Sequence, residues 1–314
     1  VFLKLVETAD VVVENYRPDV KDRLGIDYET LRKVNPRIIL ASVSGFGQDG
    51  PYRMRAGFDQ IAQGMGGLMW ITGQPGQGPM RAGAAVADTT AGLYAAIGVM
   101  VALAEREKSG EGQWVHTSLL QAQIALCDFQ AARYLVDKVV PPQAGNDHPY
   151  STPMGVLETA DGFLNIGVGG EGQWVKFCGA IGHPDLANHP DFAKQDNRFA
   201  NRPQLAGVLA PIMKTKPSAE WLAIFEEHHV PAGPIYRMDE VFADPQVRHL
   251  GIAETVEHPV RGAIDLVGQP VTLTRTPAEI TVPLPDKGAH TAEVLSVAGF
   301  STDEIEHFRK AGVI

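Results

Sequence analysis

Apolar and polar positions change period along this chain, from the three-to-four spacing of amphipathic helices to short unbroken apolar runs bounded by turn residues. Residues 1–8 predict a helix and Asp10-Val11-Val12-Val13 a buried strand. A helix over 28–34 then leads into a second apolar strand over 37–43. Strand, helix and strand in that rhythm favour a parallel sheet with right-handed crossovers, so α/β is the expected fold class. Residues 44–55, with Gly45, Gly47, Gly50 and Pro51, read as the loop that leaves the second strand. In open α/β sheets that edge is where ligands bind.

After a Gly-rich stretch, residues 88–106 predict a long helix, stopped by Lys108-Ser109-Gly110-Glu111-Gly112. Residues 113–117 predict a short strand, and Ser118-Leu119-Leu120-Gln121 is a capping box that opens a helix running to about Val136. Past Val140 the character changes: Pro141, Pro142 and Gly145-Asn146-Asp147-His148-Pro149 have the composition of a linker. Strands over 154–159 and 163–168 then flank Ala160-Asp161-Gly162, a hairpin signal. Helices are expected over 171–181, 203–214, 218–228, 291–297 and 301–310, and a strand over 269–274. The domain organisation that follows is a large domain beginning in 1–145 and a smaller α+β domain over 146–247. The tail over 248–314 returns to the large domain.

Composition narrows the function without naming it. The net charge of −10 opposes a general nucleic-acid or anionic-membrane surface, which needs a broad basic field. The longest nearly apolar run, 91–104, is shorter than the roughly 20 residues that cross a bilayer, so a buried helix and no membrane span are expected. Cys127 and Cys178 each sit alone in an apolar stretch, as expected of reduced, buried thiols in a cytoplasmic protein. The N-terminus lacks an initiator Met and a signal-peptide pattern, so the chain is expected to begin inside a domain.

Few side chains are placed for chemistry. Asp88 opens the long helix, where a carboxylate either caps the first-turn amides or, held ionised by those amides and the helix dipole, serves as a nucleophile toward an acyl group. Asn15, Tyr16 and Arg17 follow the first strand, with Lys21 and Arg23 close behind. They read either as an anion grip or as a solvated helix start, and Arg53 and Arg55 after the second strand are equally two-sided. Gly167-Val168-Gly169-Gly170-Glu171-Gly172 has the G-x-G-x-x-G spacing, which keeps an NAD-dependent oxidoreductase open as an alternative. Its strand, however, reads as the second arm of a hairpin, whereas dinucleotide sites need a parallel strand opening a βαβ unit. The ten histidines make no metal-ligand spacing, so no metal is expected.

The ordered set Val11-Val12-Val13-Glu14-Asn15-Tyr16-Arg17-Pro18, Arg23-Leu24-Gly25, Asn35-Pro36-Arg37, Gly45-Phe46-Gly47-Gln48-Asp49-Gly50-Pro51 and Asp88 resembles the family III CoA-transferases, the CaiB/BaiF family that includes formyl-CoA and carnitine CoA-transferases. The likeness continues through Arg106, Gly110-Glu111-Gly112-Gln113, Asp161-Gly162 and Pro231-Ala232-Gly233-Pro234 to Ala311-Gly312-Val313-Ile314. The resemblance implies a Rossmann-like large domain plus a smaller one in an interlocked homodimer, with the family's N-terminal βαβ unit missing from this chain. It implies CoA transfer between an acyl-CoA and a free carboxylic acid, with Asp88 as the residue that carries aspartyl anhydride and aspartyl-CoA thioester intermediates. CoA enters as part of the substrate, and no tightly bound cofactor is implied. Asn15, Tyr16 and Arg23 match CoA-contacting positions and Asp59 an acidic position beside the site. Ala56 stands where the oxalate enzymes have a CoA-contacting lysine, and Arg53 or Arg55 is expected to substitute. A racemase or isomerase of the same fold is the nearer alternative, but Phe58 occupies its acid/base histidine position and carries no proton.

Overall fold

The structure, a computed structural model, describes residues 1–314. Contact density divides the chain once, between Gly155 and Val156, with residues 248–314 in the second unit. The sequence had placed boundaries after 145 and after 247.

The first unit runs α1 (Phe2–Val6), β1 (Val11–Glu14), α2 (Pro18–Leu24), α3 (Tyr28–Val34), β2 (Ile39–Ser44), α4 (Asp59–Met65), α5 (Leu68–Ile71), α6 (Val86–Ser109), β3 (Trp114–Ser118), α7 (Leu119–Leu126) and α8 (Asp128–Asp137). Its three strands pair in parallel in the order β1-β2-β3, with Val11 opposite Ile39 and Leu40 opposite Trp114. The parallel sheet expected from the alternating pattern is therefore present. Ile38, Leu40, Leu31 and Val6 close one core beside it.

Helix α6 packs on the sheet through a stripe of small side chains. Ala87, Ala91, Ala95 and Ala102 are its buried apolar residues, spaced to fall along one face. Gly98 lets the helix approach β3 more closely still, because a Cβ there would stand 2.6 Å from Val115 Cγ1. At the far end Arg106 is buried and donates to Asp10 Oδ1 at 2.7 Å and to the Arg37 carbonyl at 3.0 Å, fixing the helix to the entries of β1 and β2. The expected fully buried, too-short helix is corrected on both counts. The complete α6 is long and apolar enough to cross a membrane, and only 22% of its most apolar stretch is buried. Leu93, Ile97, Met100 and Val101 are exposed, because the alanine stripe alone faces the sheet.

The helix expected to run from 118 to about 136 is broken. Ser118 Oγ accepts from the Gln121 amide at 3.1 Å, as its capping pattern requires, but Asp128 takes φ +43° and separates α7 from α8.

The second unit contains β4 (Met154–Glu158), β5 (Phe163–Gly167), α9 (Glu171–Ala180), α10 (Gln195–Ala200), α11 (Arg202–Met213), α12 (Ser218–Glu227), β6 (Ala232–Pro234), α13 (Met238–Ala243), α14 (Pro245–Leu250), β7 (Ala253–His258), β8 (Gly262–Val267), α15 (Thr291–Val297) and α16 (Thr302–Lys310). Strands β4, β5 and β6 form one sheet, and β7 pairs antiparallel with β8. A core of Trp174, Phe177, Trp221 and Phe225 with Leu164, Leu205 and Leu209 sits among α9, α11, α12 and β5. Residues 269–274, expected as a strand, have no ladder partner and are irregular, as Pro270 lacks the amide a ladder needs. The G-x-G-x-x-G segment leaves β5, which pairs antiparallel with β6. The parallel βαβ setting of a dinucleotide site is absent, and the oxidoreductase alternative loses its structural basis.

Candidate active site

The carboxyl ends of β1, β2 and β3 open onto a cleft of about 520 Å³, at the edge where the parallel topology directs loops outward. Five segments build it. Asn15, Tyr16 and Arg17 enter from the end of β1, Ser44 and Gly45 from the end of β2, and Leu119 from the start of α7. The stretch from Arg53 to Phe58 and the first turns of α6, with Asp88 and Gly92, complete the wall. Gly45 and Gly57 allow the two loops to cross, since a Cβ on Gly57 would lie 2.6 Å from Gly45 Cα. That crossing brings Arg53, Arg55 and Phe58 to the mouth of the sheet.

Asp88 is the only carboxylate lining the cleft. It lies in the first turn of α6, inside the helix, and the N-cap is Ala85, which offers no side-chain bond. The capping role open to Asp88 from sequence is thus not the one it plays, and its oxygens engage no donor. It is a solvent-exposed residue whose carboxyl is nonetheless held above the usual carboxylate range, first by partial desolvation against the cleft walls and second by the negative charge of Asp59.

Asp59 opens α4 and is buried at 8% exposure, behind the cleft wall. Its Oδ1 accepts from the Ala87 amide at 2.9 Å, and its Oδ2 accepts from Gln63 Nε2 at 2.7 Å. Gln63 is fully buried; its Oε1 accepts from the Ala82 amide at 2.9 Å, and its Nε2 also reaches the Ala84 carbonyl at 3.2 Å. Arg81 stands 3.8 Å from Asp59 Oδ2. The sequence reading missed Gln63 and Arg81. An Asp and a Gln four residues apart on one helix face is the signal that could have paired the first of them with Asp59.

The other expected residues divide. Asn15 lines the cleft with its Nδ2 donating to the Val43 carbonyl at 2.7 Å, which fixes the loop after β1 against β2. Tyr16, Arg53, Arg55 and Phe58 also line it, and no ion pair engages Arg53 or Arg55. The Arg55 guanidinium lies 3.8 Å from the Tyr52 ring centre. Phe58 is 74% exposed, an apolar ring at the rim with no histidine beside it in the cleft. Arg23 is exposed on α2 and does not line the cleft, and Arg17, which the sequence left two-sided, does.

A basic, open cleft around one unengaged carboxylate suits acyl transfer to and from an anionic substrate. Residues 1–291 match the family described as CoA-transferase family III. The succinate–glutarate CoA-transferase of Agrobacterium fabrum is 40% identical over 293 residues, covering 93% of this chain and 73% of that protein. The succinyl-CoA:glutarate CoA-transferase of Homo sapiens is 34% identical over 312 residues, covering 99% of this chain and 71% of that protein. Among solved structures, a CaiB/BaiF family protein from Brucella suis superposes with a TM-score of 0.82 at 35% identity, over 95% of this chain and 77% of the other.

Proposed function

The chain belongs to the family III CoA-transferases, and from that premise we propose that it moves CoA from a succinyl-type thioester to a second dicarboxylic acid through covalent intermediates on Asp88. The observation that carries this reading is the Asp88 carboxylate, free of hydrogen bonds in a cleft it shares with Arg17, Arg53 and Arg55. The relatives named for succinyl and glutarate chemistry support the substrate class.

In this mechanism Asp88 attacks the thioester carbonyl, the C–S bond breaks, and a mixed anhydride forms as CoA leaves as its thiolate. The thiolate then attacks the aspartyl carbonyl, releasing the donor acid and leaving an aspartyl-CoA thioester. The acceptor carboxylate displaces CoA in the same manner to give a second anhydride, and thiolate attack on its acceptor carbonyl yields the new acyl-CoA and restores Asp88. Storing CoA on the protein as an aspartyl thioester divides one difficult transfer into steps of similar reactivity. The elevated proton affinity of Asp88 makes its carboxylate a better nucleophile once ionised, and the three arginines hold the anionic substrates against it. Asn15 and Tyr16 fall to the CoA side of the cleft in this reading.

The assembly we propose with it is a homodimer, in which the open face of α6 is covered by the partner. Leu93, Ile97, Met100 and Val101 supply the apolar surface that such a contact would bury.

The test incubates the full chain with succinyl-CoA and labelled glutarate, then analyses the peptide carrying Asp88 by mass spectrometry. Label in glutaryl-CoA and a CoA adduct on that peptide are expected, both lost in Asp88→Ala. Exchange that survives this substitution would overturn the assignment.

A further inference from the structure

Helix α6 has an unusual start for a helix that presents a reactive carboxylate. The first amides of a helix lack intrahelical acceptors, and a carboxylate in the first turn ordinarily supplies one. Ala85 at the N-cap supplies none, and Asp88 makes no such bond. The acceptor comes instead from another helix: Asp59 Oδ1 on α4 takes the Ala87 amide at 2.9 Å. Gln63, one turn further along α4, then ties the approach to α6 by accepting from Ala82 and donating to Ala84 and Asp59. The heart of this network is buried: Ala87 and Gln63 are at 0% exposure and Asp59 at 8%. The arrangement frees Asp88 from capping its own helix and leaves its lone pairs for attack.

We propose that Asp59 is a positioning residue for the transfer reaction, capping α6 from α4 so that the Asp88 carboxylate is held in place, unengaged, beside a fixed negative charge. The proposal rests on the reading of Asp88 as the nucleophile. Desolvation first and the neighbouring Asp59 carboxylate second make Asp88 hold its proton to higher pH, and a more basic carboxylate is the stronger nucleophile. The charged and titratable groups around Asp88 are Asp59 from α4, Arg53, Arg55 and Tyr16 from the loops, Arg17 from the approach to α2, and Arg81 from the segment before α6. Arg81 stands 3.8 Å from Asp59 Oδ2 and offsets part of its charge, so the proposal expects loss of the two charges to move Asp88 in opposite directions.

That opposition provides the test. Asp59→Asn keeps the size but removes the charge and sets an amide NH2 against one of the two donors that Asp59 accepts from, Ala87 N or Gln63 Nε2, so the cap is loosened, and Arg81→Met removes the offset from a half-exposed position. Carboxyl-13C titration of Asp88, assigned with Asp88→Asn, is followed in both variants together with the acid limb of kcat/KM. In Asp59→Asn the Asp88 midpoint and the acid limb move to lower pH, kcat falls by about tenfold or more, and KM for the acyl-CoA changes little, as expected for a misplaced nucleophile with intact binding groups. In Arg81→Met the midpoint and limb move to higher pH. Damage to folding alone would lower activity in both variants without opposite displacements. Midpoints that stay at the wild-type value, or move the same way in both, overturn the proposal; should Asp59→Asn fail to fold, Arg81→Met alone decides by the direction of its shift. Failure of the wild type to exchange CoA brings down the transfer reading separately, because the titration observes Asp88 without substrate.

Discussion

The core of the second unit is built from aromatic rings, and the core behind Asp88 is built from alanines. Trp174, Phe177, Phe225 and Trp221 stack in sequence with ring centres 5.9, 5.6 and 5.6 Å apart. Each such ring removes about 150–250 Å² from water, enough for this unit to close around its own side chains. Behind the cleft the buried cluster is Ala62, Ala87, Ala91, Leu119 and Ala122. These side chains bury little area, but they let α4, α6 and α7 approach until the Asp59 carboxylate reaches an amide of the next helix. The first region gains stability from bulk and the second gains position from closeness. The large side chains of α6 are left on its open face, available to a partner. Cys178 belongs to the first type: burial in the aromatic core pushes its thiol up to about 12, so it packs and does not react.

The contrast can be broken at either region. Phe225→Ala removes a fully buried ring from the middle of the stack and should cost about 3–5 kcal/mol, read as a large drop in midpoint in denaturant unfolding. A cost under about 1 kcal/mol would mean the aromatic core is not what holds that unit together. Gly57→Ala adds a single methyl where the backbone of Gly45 stands 2.6 Å away, and overpacking of this kind should cost about 1–3 kcal/mol. Because the same crossing carries Arg55 and Phe58 to the cleft, acyl-CoA affinity should fall with it; unchanged binding would separate the crossing from the site. Met100→Gln, on the open face of α6, should change stability of the isolated chain by no more than about 0.5 kcal/mol while weakening self-association in sedimentation. A stability loss well above that would show the face to be covered within one chain.

Much of the scaffold was readable because its signals are local. The helices at Tyr28–Val34, Thr291–Val297 and Thr302–Lys310 follow from apolar spacing and, for the last, from Ser301 and Glu304 closing a reciprocal cap. The parallel pairing of β1 with β2 follows from two unbroken apolar runs separated by helices. Other features needed their neighbours. The break at Asp128 carries no Gly or Pro to announce it, and β7 and β8 are half-exposed strands whose alternation is diluted by charged residues.

What the sequence determined by itself was the α/β class, the ligand-bearing edge of the sheet and Asp88 as the carboxylate to watch, since each depends on residues adjacent in the chain or on an ordered set of motifs. Only the tertiary structure decided what Asp88 does at its helix start, that Arg17 lines the cleft and Arg23 does not, and that Asp59 turns away from the cleft to hold the Ala87 amide. Those outcomes depend on distances between α2, α4, α6 and the sheet. Such distances are set by how closely alanine and glycine allow the backbones to approach, a property of the packed chain that no single segment contains.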